Sequence, residues 1–295
     1  MNIGVVGLGI IGSRMAANWQ KAGHAVLGWN RTPAHASGLG IRLAPTPRAL
    51  AEQSDAIMIV VADPSALNTV VSGPDGIVHA PLQGKIVFNA STVGASDNQR
   101  ADSVIRQAGG EFLETPFTGS KAGAEAAKLV FYVGGDSVLF ERVEPLLLQV
   151  GVKCFHFGPV GAAADAKLIM NMMLANQMQA MVEGFLFARK SGLDMQTFCH
   201  AYRLNAGYSP FADMKIPKML AEDFTTHFAL KHMDKDVRLA LARAAELGVA
   251  CPLTDRLKQI FTEAMVAGLA EADFSALYRM AAQKSGFDQV HSRSG

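Results

Sequence analysis

Along the first part of the chain, apolar residues fall into short runs separated by turn signals and amphipathic stretches. Ile3 to Val6, Ala25 to Trp29, Ala56 to Val61, Lys85 to Asn89, Gly110 to Thr115, Leu129 to Val133 and Lys153 to Phe157 each have the length and branching of a buried strand. Ser13 to Lys21, closed by Gly23, and Ser137 to Gln149 read as helices. A turn region follows Thr32, and Asp63-Pro64 ends the Ala56 to Val61 run. Strands alternating with helices predict an α/β layer structure up to about Gly158. After Gly161 the texture changes and no strand-like alternation recurs. Ala162 to Ser191 reads as one helix of about 45 Å, at roughly 1.5 Å per residue. Met195 to Leu204, Pro210 to Glu222, Lys231 to Leu247, Pro252 to Ala267 and Phe274 to Gln283 follow as further helices, and the tail after Phe287 is expected to fray. The pattern therefore predicts an α/β domain over 1–161 and an all-α domain over 162–295.

The junction of the first two strands carries the most specific signal. Ile3 to Val6 runs into Gly7-Leu8-Gly9-Ile10-Ile11-Gly12, and a helix follows. Strand, glycine turn, helix and strand form the opening of a dinucleotide-binding, Rossmann-type doubly wound sheet. Gly7 permits the tight turn, Gly9 leaves the backbone open to a pyrophosphate, and Gly12 lets the helix lie close on the strand. The helix N-terminus offers N–H groups and partial positive charge to phosphates.

An NAD site needs an acidic residue at the end of the second strand, to bind the ribose 2′-hydroxyl. No acidic residue occurs between Met1 and Glu52; Asn30-Arg31-Thr32 stands at the expected place. Arginine pairs with a 2′-phosphate and its neighbours can add hydrogen bonds, which points to NADP; the other reading is a solvated polar turn. Ligands of such sheets lie at the carboxyl ends of strands. That places Val61 and Ala62 beside the cofactor, and Thr92 against nicotinamide or ribose, although Ser91 or Thr92 also reads as a helix N-cap.

Composition narrows the partners. The 295 residues are 49% hydrophobic, enough for two domains with real cores. A net charge of +1, from 27 basic and 26 acidic residues, favours neither nucleic acid nor an anionic membrane. Cys154, Cys199 and Cys251 show no metal spacing and no even disulfide set, and the first strand begins too early for a leader, so a cytoplasmic setting without metal is expected. The long helix is apolar nearly all round, with Met170, Met172, Met173, Met178 and Met181. Asn171, Asn176, Gln177, Gln179 and Glu183 interrupt it too often for a membrane span. Such a helix is buried between domains or subunits, which predicts a homodimer or homotetramer.

Lys167 and Asn171 lie four apart and share one face of that helix. A lysine in such apolar surroundings snorkels, pairs or takes part in chemistry. Lys235-Asp236, near the start of another helix, reads by itself as a solvated charge pair.

GLGIIG at 7–12, NRT at 30–32, ETPFTGSKAGAEAAKL at 114–129, GPVGAAADAKLIMN at 158–171 and FALKHMDKD at 228–236 occur in this order. Together they resemble the β-hydroxyacid dehydrogenase family over essentially the whole length. The resemblance implies an oxidoreductase using NADP(H), with Lys167 as general acid, Asn171 assisting, and Thr118, Gly119, Ser120 and Lys235 holding a substrate carboxylate. Lys235 is implied to approach the cofactor as well. Thr118 stands where the family usually has serine, and the family often has glycine near Ala127. The Gly119-Ser120-Lys121 stretch with NRT is most similar to the NADPH-dependent glyoxylate/succinic semialdehyde reductase branch. Two rival readings are an imine reductase, where Asp or Tyr typically replaces the lysine, and a non-catalytic NADP-binding interaction module.

Overall fold

The structure is a computed structural model that describes residues 1–33 and 38–287; the tail after Phe287 lies outside the described residues. The chain divides into two compact units, Met1–Ile169 and Met170–Gly295, and the division falls within the long helix.

The first unit is α/β. Its elements run β1 (Asn2–Val6), α1 (Gly12–Lys21), β2 (Ala25–Trp29), β3 (Arg42–Leu43), α2 (Pro47–Glu52), β4 (Ala56–Ile59), α3 (Pro64–Ser72), β5 (Ile86–Asn89), α4 (Ala95–Gln107) and β6 (Glu111–Glu114). They continue with β7 (Phe117–Thr118), α5 (Lys121–Glu125), β8 (Leu129–Gly135), α6 (Ser137–Leu147), β9 (Gly151–Gly158) and the start of α7 (Ala162–Lys190). Six strands are parallel in the order β3-β2-β1-β4-β5-β6, a doubly wound arrangement whose direction of winding reverses between β1 and β4. β8 extends the sheet antiparallel to β6 and carries β7 and β9.

Successive side chains of a strand point to opposite faces. Ile3, Val5, Met58, Phe88 and Leu113 accordingly enter one core with Met15 and Trp19 of α1. Val6, Ile57, Ile59, Val87 and Phe112 enter a second core on the other face, with Leu50, Val70 and Ile105. Burial on both faces explains why these strands read as unbroken apolar runs.

Helices α2, α3 and α4 fill stretches that the apolar pattern leaves blank. Asp63-Pro64 both ends a strand and starts α3: the Asp63 carboxylate accepts from the Ala66 N–H at 2.8 Å, and proline suits the first turn. The N-cap reading of Ser91 or Thr92 is corrected. α4 begins at Ala95 with Gly94 as N-cap, and Asp97 accepts from the Gly94 N–H at 2.9 Å.

The second unit is helical: the rest of α7, α8 (Met195–Arg203), α9 (Pro210–Leu220), α10 (Leu230–Glu246), α11 (Pro252–Val266) and α12 (Leu277–Lys284). The helix expected from Phe274 splits into a 3-10 turn, Phe274–Ala276, followed by α12. Asp273 caps the 3-10 turn by accepting from the Ser275 N–H and hydroxyl. The same carboxylate accepts from the His227 and Phe228 N–H groups and pairs with buried Lys215 at 2.6 Å. Around this polar knot, Met178, Val182, Phe185, Met219, Leu230 and Phe261 form the core. Not every methionine of α7 is core, because Met173 is 63% exposed. Among the described residues no helix is long and apolar enough to cross a membrane.

Ala127, between α5 and β8, has a φ of +53°, a left-handed conformation that disfavours a Cβ. Glycine escapes roughly 1–2 kcal/mol of that strain and loses about 0.5–1 kcal/mol through its freer unfolded state. Ala127→Gly should therefore raise the unfolding free energy by about 0.5–1 kcal/mol. Denaturant midpoints check this, and a lower midpoint in the variant would refute it.

Candidate active site

The glycine turn closes the carboxyl end of β1 where the winding reverses. Gly7 has a φ of +100°, and a Cβ there would meet the Val60 carbonyl oxygen at 2.1 Å. A Cβ on Gly12 would meet the Gly7 carbonyl oxygen at 2.0 Å. Gly9 differs, with nothing within 4 Å of the place its Cβ would take. The first two glycines are demanded by the fold, and the third leaves an open cradle at the N-terminal end of α1, which fits a bound pyrophosphate. Ile10 is exposed and Ile11 half-buried beside it. Ser13 Oγ donates to the Gly9 carbonyl at 2.7 Å, and Arg14 Nη1 to the Ile10 carbonyl at 2.6 Å, so α1 fixes the turn it follows.

The end of β2 is tied to the same turn. Asn30 Oδ1 accepts from the Leu8 N–H at 3.1 Å, and its Nδ2 donates to the Thr32 carbonyl at 2.9 Å. The Asn30 amide thus braces the turn, while Arg31 and Thr32 are exposed. At the next strand ends, the Val61 N–H donates to Ser91 Oγ at 2.9 Å and the Ser91 N–H to Asn89 Oδ1 at 3.1 Å. Buried Asn89 in turn donates to Asn98 Oδ1 at 2.7 Å. Ala62 is exposed and Thr92 half-buried at the rim of this network. Sequence reasoning put Thr92 and its neighbours at this strand end, but the Ser91–Asn89–Asn98 hydrogen bonds had no local signal.

The segment after β6 forms a second loop. Thr118 is half-buried beside the Tyr132 side chain. Gly119 has a φ of +143°, and a Cβ there would lie 2.7 Å from Leu129 Cδ2. Ser120 is exposed, and its hydroxyl accepts from the Gly123 N–H at 3.2 Å, capping α5. The helix that follows, α5, is braced on α1: Arg14 pairs with Glu125 at 2.7 Å, and Asn18 Nδ2 donates to the Ala124 carbonyl at 2.7 Å.

α7 carries half-buried Lys167 within the first unit. Its first turn is held by Glu114, a 0% exposed residue whose Oε1 accepts from the N–H groups of Gly161 and Ala163 at 2.8 Å and of Ala164 at 3.3 Å. Burial pushes the Glu114 carboxyl from the usual 4.5 up to about 7, against the pull of these three N–H groups.

Asn171 and Lys235 belong to the second unit and meet at one carboxylate. Asn171 is 5% exposed, and its Nδ2 donates to Asp236 Oδ2 at 2.6 Å. Lys235 Nζ lies 2.9 Å from Asp236 Oδ1, off the line of a hydrogen bond, so this contact is an ion pair. Asp236 is 1% exposed, which corrects the reading of Lys235-Asp236 as a solvated pair. The acid faces inward and links two candidate residues; an acid beside a lysine gave no sign of it. Among the described residues no cluster of His, Cys, Asp or Glu is arranged to hold a metal ion.

The Glu114 environment has a pH consequence. Between 4.5 and about 7 the folded state keeps a proton that the unfolded chain has released. This residue's contribution to stability therefore falls as pH rises through that window, by about 3 kcal/mol in all. The loss should be complete above about pH 8, and Glu114→Gln should remove that part of the slope. Urea unfolding of both proteins at several pH values checks this; parallel profiles would refute it.

Two family profiles match this chain. One, described as the NAD binding domain of 6-phosphogluconate dehydrogenase, covers residues 2–158. The other, described as NAD-binding of NADP-dependent 3-hydroxyisobutyrate dehydrogenase, covers residues 161–281. Glyoxylate/succinic semialdehyde reductase 1 of Arabidopsis thaliana is 35% identical over 94% of this chain and 97% of its own length. The cytokine-like nuclear factor N-PAC of Mus musculus is 33% identical over 94% of this chain and 50% of its own. Among solved structures, the 3-hydroxyisobutyrate dehydrogenase of Mycobacterium tuberculosis, with L-serine, superposes with a TM-score of 0.86 at 28% identity, over 95% of this chain and 98% of that one.

Proposed function

Since the chain belongs to the β-hydroxyacid dehydrogenases of the 3-hydroxyisobutyrate dehydrogenase type, we propose that it is an NADPH-dependent reductase of small aldehydes or keto acids bearing one carboxylate. Succinic semialdehyde and glyoxylate are the leading substrates, by similarity to the Arabidopsis thaliana reductase. The observation that carries the reading is the placement of Lys167: it stands on a firmly held helix in the same unit as the open Gly9 cradle and the Thr118–Gly119 loop.

Bound NADPH supplies a hydride to the carbonyl carbon. The Lys167 ammonium neutralises the negative charge that develops on the carbonyl oxygen and gives that oxygen its proton; as a neutral amine it takes the proton back in the oxidation direction. Gly7, Gly9, Ile10, Ile11 and Gly12 hold the pyrophosphate, with Val61, Ala62 and Thr92 nearer the nicotinamide end. Arg31 and Thr32 bind the 2′-phosphate, while Asn30 keeps the strand end in place. Thr118, Gly119 and Ser120 offer donors to the substrate carboxylate, and Lys235 offers it a cation. Asn171 orients the reacting groups, and Asp236 fixes both Asn171 and Lys235.

The similarity to N-PAC, which is named as a nuclear factor and not as an enzyme, favours a second reading: a non-catalytic NADP-binding module. A substrate panel followed by NADPH absorbance separates the two. Turnover of glyoxylate or succinic semialdehyde, above that of uncharged aldehydes and cyclic imines, is the expected result. Tight NADPH binding without turnover would leave the module reading.

Two substitutions sharpen the proposal. Lys167→Ala should lose roughly 10² to 10⁴ in kcat while NADPH still binds; near-normal kcat would move the proton donor elsewhere. Arg31→Asp should weaken NADPH binding and favour NADH, because it removes the phosphate partner and restores a ribose-binding acid. Equal kcat/KM for the two cofactors in the unsubstituted protein would defeat this part of the reading.

A further inference from the structure

Glu114 is outside the binding and proton-transfer steps just described, and its burial is expensive. It ends β6, in register with Asn89 of β5 and Gly134 of β8. Gly134 makes room for it, since a Cβ there would lie 2.2 Å from Glu114 Oε1. Among the described residues its hydrogen bonds all go through Oε1 to Gly161 and the first turn of α7, and Oε2 has no partner.

A helix leaves its first N–H groups unpaired, and a nearby Ser, Thr, Asp or Asn usually satisfies one. The approach to α7 has no such side chain: it reads Gly158-Pro159-Val160-Gly161, then Ala162-Ala163-Ala164. The cap comes instead from a residue on another element, 47 positions earlier than Gly161. A local cap is worth about 1 kcal/mol, and burying a carboxylate costs several kcal/mol. Capping alone would be met more cheaply by a serine or threonine beside the helix. A local cap, however, leaves the helix free to shift against the sheet. A carboxylate on β6 ties the two together.

We propose that Glu114 is a positioning residue for Lys167: its carboxylate fastens the first turn of α7 to the end of β6 and holds the lysine in fixed register with the Thr118–Gly119 loop that follows β6. Lys167 comes one turn after the clamped amides, and Thr118 one short turn after Glu114, so both reactive segments are measured from one side chain. Shortening that side chain moves the helix and leaves the loop. The inference rests on the reading of Lys167 as proton donor, but the placement of the lysine can be measured without any turnover.

The test compares Glu114→Asp, Glu114→Ala and Glu114→Gln in the full chain. Trace acetylation with acetic anhydride, read by mass spectrometry, reports the reactivity of Lys167 against Lys121 and Lys128 as internal references. In Glu114→Asp and Glu114→Ala the relative reactivity of Lys167 should change by about threefold or more, and kcat should fall roughly ten- to a hundredfold, the loss expected from a displacement of about 1 Å. KM and NADPH affinity should stay within about twofold, a split that a general loss of folded protein does not produce. Glu114→Gln keeps the length and the Oε1 acceptor, and should recover most of the activity lost in Glu114→Ala. If Glu114→Ala does not fold, the contrast between Asp and Gln carries the test. Unchanged Lys167 reactivity in folded Glu114→Asp overturns the proposal, whatever the activity does. Altered reactivity in a protein that reduces no carbonyl substrate upholds the positioning role and overturns the catalytic reading instead.

Discussion

The first unit depends on a close approach of backbone to backbone. β1 and β4 lie side by side where the winding of the sheet reverses, and the chain must turn from β1 into α1 within the space they leave. The Val60 carbonyl occupies the place a Gly7 side chain would need, and the Gly7 carbonyl occupies the place of one on Gly12. Once these contacts close, the start of α1 and the open space at Gly9 are fixed. The Asn30 amide and the Ser13 hydroxyl only secure a geometry that packing has already set.

Buried polar groups do the remaining aligning, and each of the main ones joins separate elements. Ser91 links the ends of β4 and β5, Glu114 links β6 to α7, and Asp236 links α10 to Asn171 of α7. Asp273 plays the same part for α9 and the turn before α12, through Lys215 and Ser275. A buried acid with several donors holds its neighbours in one arrangement, whereas apolar contacts tolerate sliding. Near the candidate site this fixity matters more than the stability such groups contribute.

What the sequence disclosed follows the same physics. β1, β2, the glycine turn and α7 were legible because local rules govern them: apolar runs, glycines at fixed spacing, and a long periodic stretch. α4 was not legible, because its sequence, ASDNQRADSVIRQ, is largely polar and it buries Asn98 in place of an apolar side chain. The two-residue strand β7 is too short to show a period. Glu114 and Asp236 were missed for a different reason. The N–H groups on Glu114 lie 47 to 50 residues away and the Asn171 amide on Asp236 lies 65 away, and no local pattern distinguishes an acid that will be buried from one left in water. Lys167 and Asn171 stood out by their spacing on an apolar helix, but the roles expected of them and of Lys235 came from family resemblance, since a lysine or asparagine on a helix says little unaided.

The bracing of α5 on α1 limits how the loop before α5 can change its backbone. Arg14 and Asn18 both reach from α1 to α5, the helix that directly follows Thr118 to Ser120, through Glu125 and the Ala124 carbonyl. Remodelling that segment's backbone would drag on α1 and so on the open turn at Gly9. Side-chain exchange at positions such as Thr118 carries no such penalty. Divergence among relatives should therefore run through substitutions on a constant loop, with insertions excluded there and displaced to surfaces that α1 does not touch.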